Sequence, residues 1–272
     1  GPFRGGRSVS SVGVVNDPLT YYMGTAGGGL WKTTNAGSEW FNISDDYFKT
    51  SSVGAIAVSE SDSRIIYVGM GEHSPRGVTT SYGDGIYKST DAGETWEHLG
   101  LDNTQQVSRI IIHPDDNNIV YVAAQGAING PTKERGVYKS IDGGKTWKNV
   151  LFVNELSGAS ELSIDINNPK VLYATMWEHQ RLPWKVISGG EGSGVYKSTD
   201  GGENWFKIEN GLPDELGKLA ISVSRANSNK VYLLAESDTN KRLGGLFVSN
   251  NAGESWSRVS KFAELTSRAW YY

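Results

Sequence analysis

Ser89-Thr90-Asp91-Ala92-Gly93-Glu94-Thr95-Trp96 is the stretch that decides the fold. It recurs as Ser140-Ile141-Asp142-Gly143-Gly144-Lys145-Thr146-Trp147 and as Ser198-Thr199-Asp200-Gly201-Gly202-Glu203-Asn204-Trp205. Looser copies run from Thr33 to Trp40 and from Ser249 to Trp256. The closing tryptophans, Trp40, Trp96, Trp147, Trp205 and Trp256, fall 51 to 58 residues apart. Self-similarity at a period near fifty is the sequence mark of a repeat architecture.

Each interval holds four short runs of strand character, bounded by Gly, Asp, Asn and Pro. First strands are expected over Ser11–Val15, Val53–Val58, Ser108–His113, Leu162–Ile166 and Leu219–Val223. Turns follow, at Asp17-Pro18 in the first unit and Asn227-Ser228-Asn229 in the fifth. Second strands centre on Tyr22, Tyr67, Tyr121, Tyr173 and Tyr232. In the third strands Leu30, Ile86, Val137, Val195 and Leu246 point one way, and Trp31, Tyr87, Tyr138, Tyr196 and Phe247 the other. A strand apolar on both faces is buried on both, as stacked blades require and a two-sheet sandwich does not. No helix is predicted. The fold class is all-β: a β-propeller of four-stranded antiparallel blades, five of them complete. The blades are expected at 8–44, 52–100, 107–152, 160–210 and 218–260, with 261–272 starting a further one, so the chain reads as the N-terminal part of a larger propeller.

The 272 residues suffice for a sizeable core. A formal net charge of −4 argues against a surface built to neutralise phosphates, so no nucleic-acid partner is expected. No apolar run is long enough for a membrane span. With no cysteine, disulfides and thiolate chemistry are excluded. The chain opens at Gly1 without an initiator Met or signal peptide, so a targeting segment is expected to have been removed or to lie outside it. His73, His98, His113 and His179 have no zinc-ligand spacing, and no metal or cofactor is expected. Asn42-Ile43-Ser44 is a formal glycosylation sequon.

The octapeptide resembles the Asp-box, or bacterial neuraminidase repeat, in five copies between third and fourth strands. The chemistry of the turn is local. An Asp or Asn accepts backbone N–H bonds. Gly37, Gly93, Gly144, Gly202 and Gly253 supply a position where φ is positive, and the Ser or Thr hydroxyl adds a bond. The Trp is expected to fold over its own hairpin. Asp91, Asp142 and Asp200 look like catalytic or calcium-binding carboxylates, but Asn35 and Asn251 stand at the same place. Asn keeps the acceptor and loses the basicity, so the position holds a turn. The structural residues are thus Asn35, Trp40, Asp91, Trp96, Asp142, Trp147, Asp200, Trp205, Asn251 and Trp256. In Asp-box families these turns lie on the rim opposite the ligand-binding face.

That places function on the second-to-third and fourth-to-first loops. The former run from Glu72 to Asp84 with His73, Arg76 and Tyr82, from Gln125 to Arg135, from Trp177 to Ser193, and from Glu236 to Gly244 with Asp238, Lys241 and Arg242. In the fourth, Trp177, Glu178, His179, Arg181 and Trp184 lie within eight residues, which reads as an aromatic platform for a sugar or peptide or as tryptophans pinning a long loop. Ligand-binding candidates are Arg4, Arg7, His73, Arg76, Tyr82, Trp177, His179, Arg181 and Trp184. Glycosidases need two carboxyl groups across the scissile bond; the catalytic candidates are Glu72, Glu178 and Glu191, with Asp84 and Glu236 on the same loops. Phe3-Arg4-Gly5-Gly6 shares two positions with the sialidase Phe/Tyr-Arg-Ile-Pro motif and lacks its Ile-Pro.

Longer stretches, among them Gly27-Gly28-Gly29-Leu30-Trp31-Lys32-Thr33-Thr34 and Leu172-Tyr173-Ala174-Thr175-Met176-Trp177-Glu178, are similar to large exported bacterial Asp-box proteins labelled glycosyl hydrolase or sortilin-like. The resemblance implies a periplasmic, cell-surface or secreted protein with further blades, or an assembly partner, beyond this chain. It leaves two functions. One is a binding module for a glycan, peptide or partner protein, which is favoured. The other is a glycoside hydrolase resembling two-propeller xyloglucanases.

Overall fold

A computed structural model describes residues 6–76, 80–237, 240 and 242–269. It contains five antiparallel sheets of one design. The first comprises β1 (Ser8–Val14), β2 (Asp17–Thr25), β3 (Leu30–Thr33) and β4 (Phe41–Asn42). The second holds β5 (Val53–Val58), β6 (Ile66–Met70), β7 (Ile86–Ser89) and β8 (Glu97–His98). In the third are β9 (Val107–Ile112), β10 (Val120–Ala124), β11 (Gly136–Ser140) and β12 (Lys148–Leu151). The fourth has β13 (Ser157–Ile164), β14 (Leu172–Arg181), β16 (Gly194–Ser198) and β17 (Phe206–Ile208), with β15 (Val186–Ser188) paired to the far end of β14. The fifth is β18 (Leu219–Ser224), β19 (Asn227–Ala235), β20 (Gly245–Ser249) and β21 (Ser257–Ser260). Sheet neighbours follow chain order, the up-and-down blade of a β-propeller. Among the described residues the only helical turns are Asp102–Thr104 and Ala263–Leu265, both 3-10, and no helix is long and apolar enough to cross a membrane.

Two turns differ from expectation. Asp17-Pro18 and Asn227-Ser228-Asn229 lie inside β2 and β19, and the turns fall one step earlier, at 15–16 and 225–226. Asp17 caps the strand start locally: its carboxylate accepts the Leu19 N–H at 3.0 Å and the Thr20 hydroxyl at 2.7 Å.

The chain divides into two compact units. One is Gly1–Ser74, Thr79–Val122 and Lys139–Lys148; the other is Pro75–Val78, Ala123–Tyr138 and Asn149–Tyr272. In the first, β5 packs against β1 and β9. Glycine makes that approach possible: a Cβ at Gly24 would lie 2.4 Å from Val53 Cγ1, and one at Gly69 would lie 2.3 Å from Val107 Cγ1. The core there joins Tyr22, Leu30, Val53, Ile56, Val68 and Trp96. In the second unit β18 packs on β13 and β14, and Tyr173, Val195, Leu219, Leu233 and Trp256 form the core. Each such buried side chain contributes roughly 1.5–3 kcal/mol.

A polar clamp reinforces the stacking. The Tyr22 hydroxyl and Lys32 Nζ both donate to the Ala92 carbonyl, at 3.1 and 2.9 Å. Tyr67 and Lys88 do the same to Gly143, at 2.9 and 3.0 Å, and Tyr173 and Lys197 to Ala252, at 2.9 and 2.7 Å. Thus the second-strand Tyr and third-strand Lys of one blade grip the repeated turn of the next. Blade five keeps Tyr232 but has Val248 opposite it in place of the Lys.

Candidate functional site

At the repeated turns the hydroxyl and the Asx side chain bond each other and the turn backbone. Ser89 Oγ donates to Asp91 Oδ1 at 2.7 Å and accepts the Gly93 N–H at 2.8 Å. Asp91 also accepts the Thr95 N–H and hydroxyl, at 2.9 and 2.6 Å. Asp142 repeats this with Thr146, and Asp200 with Asn204. The bond from the Thr95 hydroxyl leads in holding the Asp91 carboxyl down at about 2; the Thr146 hydroxyl and the Asn204 backbone N–H do the same for Asp142 and Asp200. A carboxylate so stabilised is a poor general base. In the Asn copies the amide turns donor: Asn35 Nδ2 donates to Glu39 and Asn251 Nδ2 to Ser255. Trp96 and Trp147 do not serve their own hairpins alone; their indole N–H groups reach the preceding blade, at Ile43 O (3.0 Å) and Leu99 O (2.9 Å). Trp205 stays local, donating to Gly202 O.

The other end of the blades is built differently. In the first unit a cleft of ≈ 350 Å³ opens between the 44–52 loop, Gly29 and Ser81–Tyr82. Local bonds fix the first wall. Asn42 Oδ1 accepts the Ser44 and Asp45 N–H groups, so the formal sequon is an Asx turn with Ser44 buried. Phe48 packs on Tyr87 at 4.4 Å and edge-on to Trp96 at 5.3 Å. Thr50 donates to Asp84 Oδ1 at 2.7 Å, and the Tyr87 hydroxyl to Asp84 Oδ2 at 2.6 Å. Burial, then the bond to Asp84, pushes the Tyr87 phenol up to about 12. The second wall hangs on an ion pair: Arg7 donates to Glu72 and, at 3.1 Å, to Ser74 O, and Glu72 accepts the Ser81 N–H at 3.4 Å. Arg7 and Glu72, expected in separate roles, therefore form one brace. His73 is half-buried, Arg76 exposed, and Tyr82 47% exposed on the cleft.

In the second unit the expected 177–193 loop is largely a hairpin. β14 runs through Trp177 to Arg181 and pairs with β15, His179 opposite Ser188 and Arg181 opposite Val186. Alternation then sends Trp177 and His179 inward. Trp177 is completely buried and stacks on His179, ring centroids 4.3 Å apart, whereas Trp184 at the tip is 81% exposed. The two tryptophans therefore form no joint platform. Trp177 Nε1 donates to Ser188 Oγ (3.1 Å), which donates to Glu236 (2.7 Å), which also accepts the Lys218 N–H (3.1 Å). Arg135 is fully buried, its guanidinium held by the carbonyls of Gln125, Ala127 and Gly130. Burial holds that guanidinium down at about 10, with Glu178 opposing. Burial and then the Arg135 charge hold His179 at about 3, so it is neutral. Its Nδ1–H donates to Trp177 O at 3.0 Å, leaving Nε2 to accept from Gln125. Glu178 is half-buried and accepts the Gly192 N–H, Glu191 is exposed, and Arg181 is half-buried with its N–H on Ile128 O. Arg4, Asp238, Lys241 and Trp270 lie outside the described residues. No group of three or more metal-ligating side chains occurs among the described residues.

Sequence reasoning missed the 44–52 wall and the Arg135 cluster. The first carried a signal, the hydroxyl-rich run Ser44-Asp45-Asp46-Tyr47-Phe48-Lys49-Thr50-Ser51-Ser52 on a fourth-to-first loop. Nothing in the sequence marks Arg135 as buried.

Five up-and-down sheets, each with the repeated turn between the third and fourth strands of the blade, give a β-propeller chain that resembles Asp-box proteins. Its likenesses agree. The family described as "Sortilin, neurotensin receptor 3" matches residues 84–208. A xyloglucanase of Paenibacillus sp is 23% identical over 88% of this chain and 24% of its own length. The xyloglucanase Xgh74A of Acetivibrio thermocellus is 25% identical over 88% of the chain and 29% of its own length. The crystal structure of an ancestral GH74 enzyme superposes with a TM-score of 0.71, at 20% identity, over 95% of this chain and 34% of that one. The chain thus spans about a quarter of the length of these curated relatives.

Proposed function

We propose that the chain is a polysaccharide-binding β-propeller segment of an exported carbohydrate-acting protein, holding its glycan on the loop end of its blades. One observation carries the reading. The loop carboxylates Glu72, Asp84, Glu178 and Glu236 each accept hydrogen bonds from the chain itself, while Tyr82 and Trp184 stand exposed on the same loops. Spent acceptors beside exposed aromatics suit recognition better than acid–base chemistry. A glycan is preferred over a peptide because the relatives matched over 88% of the chain are named xyloglucanases. Those names also favour a second reading, a glycoside hydrolase whose carboxylate pair includes Glu178 or Glu191.

Affinity electrophoresis in gels containing xyloglucan, other β-glucans or mannan, run beside a reducing-end assay, separates the two. Retardation without release of reducing ends is the expected result. Turnover that drops with Glu178→Gln or Glu191→Gln favours the hydrolase, and migration unaffected by every polysaccharide overturns both.

A further inference from the structure

The cleft of the first unit has its own chemistry, and we infer that it is a seat for one neutral pyranose residue, stacked on Tyr82 and hydrogen-bonded by Ser51, Ser81, Asp45 and Lys49. This rests on the glycan reading above for the ligand class and goes beyond it by naming the place and the contacts.

The first support is pre-organisation. The wall from Ser44 to Ser52 is pinned almost residue by residue. The Phe48 and Tyr47 N–H groups return to Ser44 O, Lys49 N–H donates to the Tyr87 hydroxyl, and the Ser51 and Ser52 carbonyls accept from Gly29 and Gly71. The opposite wall is pinned by Glu72 on the Ser81 N–H, by Ser81 O on the Glu72 N–H, and by Gly83 N–H on Gln105 O. A cleft whose backbone is already fixed loses little entropy when filled, and ≈ 350 Å³ falls within the usual range of ligand pockets.

The second is the division of labour among its side chains. Thr50 and Ser44 are spent on Asp84 and Asn42. By contrast, the Ser51 and Ser81 hydroxyls, the Asp45 carboxylate and the Lys49 ammonium make no side-chain hydrogen bond or ion pair among the described residues, and all four residues are exposed on the cleft. Two hydroxyls that donate or accept, one acceptor and one donor suit vicinal sugar hydroxyls, which themselves donate and accept. The single positive and single negative charge cancel, so the site offers no net attraction to a phosphate, sulfate or uronate. Tyr82 supplies the flat apolar face on which a pyranose's axial C–H groups rest. The Arg7–Glu72 pair acts one step back, as a positioning pair for Ser81 and Tyr82.

The test is isothermal titration of the chain with neutral gluco- and xylo-oligosaccharides and with a uronate oligomer, repeated on a set of variants. If the cleft is the seat, Tyr82→Ala weakens neutral-oligosaccharide binding about tenfold or more, Tyr82→Trp retains it, and Ser51→Ala with Ser81→Ala weakens it several-fold. Glu72→Gln lowers affinity while Trp184→Ala does not, with near-ultraviolet circular dichroism confirming the fold of each. Binding that survives Tyr82→Ala but disappears in Trp184→Ala overturns the cleft and leaves the glycan reading standing. Preference for the uronate overturns the neutral-sugar assignment. No heat with any saccharide overturns the cleft and the glycan reading together.

Discussion

The two ends of each blade solve the same problem, terminating a pair of strands, in opposite ways. At the repeated turn one solution is used five times: a hydroxyl, an Asx acceptor and two left-handed residues, with φ 62° and 90° at Ala92 and Gly93 and close values in the other copies. Its hydroxyl and Asx side chains are satisfied within the octapeptide, and only its closing tryptophan and one turn carbonyl reach a neighbouring blade. At the loop end each blade is individual. One loop is the glycine-rich turn at 26–29 locked by the Trp31 indole on Gly28 O, one is braced by Arg7 and Glu72, and another is a hairpin seated on a buried Trp–His–Arg cluster. A local motif can be copied blade to blade because the bonds that shape the turn lie within it, and what it asks of its neighbour, a Tyr and a Lys on one carbonyl, is copied as well. The loop ends depend on partners tens of residues away, and that is where recognition can vary without disturbing the stacking.

The contrast breaks hardest at Arg135. Arg135→Ala strips the donors from three carbonyls, the buried Gln125 and the half-buried Ala127 and Gly130, and is expected to cost about 3 kcal/mol. Asp91→Ala at the repeated turn is expected to cost about 1 kcal/mol, on the scale of losing a helix N-cap. Urea unfolding of the two variants checks the order; a larger loss at Asp91 would mean that the turns carry more of the stability than the loop-end cluster.

Acid separates the ends next. His179 binds its proton near 6.5 when unfolded and only at about 3 when folded. Between those values the unfolded chain holds more protons, so stability falls as pH drops from 6.5 towards 3, with a slope approaching about 1.4 kcal/mol per pH unit. Asp91, Asp142 and Asp200, depressed to about 2, lose their contribution only as pH falls from 3.8 towards 2. His179→Gln should flatten the melting-temperature profile between pH 6.5 and 4, and Asp91→Asn only below pH 4. A His179→Gln profile identical to that of the parent chain would show that the imidazole is not held neutral.

The same contrast governs what the sequence could tell. The turns were readable because cause and effect lie within one octapeptide, and the strands because β-branched and aromatic runs stand between fixed breakers. Even the 177–181 extension was encoded, as Trp-Glu-His-Gln-Arg alternates inward and outward; the cluster of attractive residue types drew attention to chemistry instead of period. Pairings across long separations were not readable. Arg7 with Glu72 and Arg135 with His179 follow from how the blades stack, and no spacing rule contains them.

Backbone strain gives a smaller effect at the repeated turn. Ala92 sits at φ 62°, where Gly143 and Gly201 stand in the equivalent copies. A side chain in the left-handed region costs roughly 1–2 kcal/mol, partly offset by the extra freedom glycine brings to the unfolded chain. Ala92→Gly should therefore stabilise by about 0.5 kcal/mol, raising the melting temperature by about 1 °C. A lowered melting temperature would show that the Ala92 methyl is used in packing against Tyr22 or Lys32.

The finest distinction lies four residues beyond the Asx position. Where that position is Asp, the partner is a donor, Thr95, Thr146 or Asn204; where it is Asn, the partner can accept, Glu39 or Ser255. Asn35→Asp places a carboxylate against Glu39 with no amide hydrogen between them. On an exposed turn the like-charge pair should cost about 0.5 kcal/mol, while Asn35→Asp combined with Glu39→Thr should recover it. The double-mutant cycle, read from denaturation midpoints at low and high salt, isolates the coupling. Salt should erase the penalty of the single variant and leave the double unchanged, because screening acts on the repulsion and not on the Asx bonds. If the single variant is as stable as the parent at low salt, the matching of Asx and partner is incidental, and the turn tolerates either residue on backbone geometry alone.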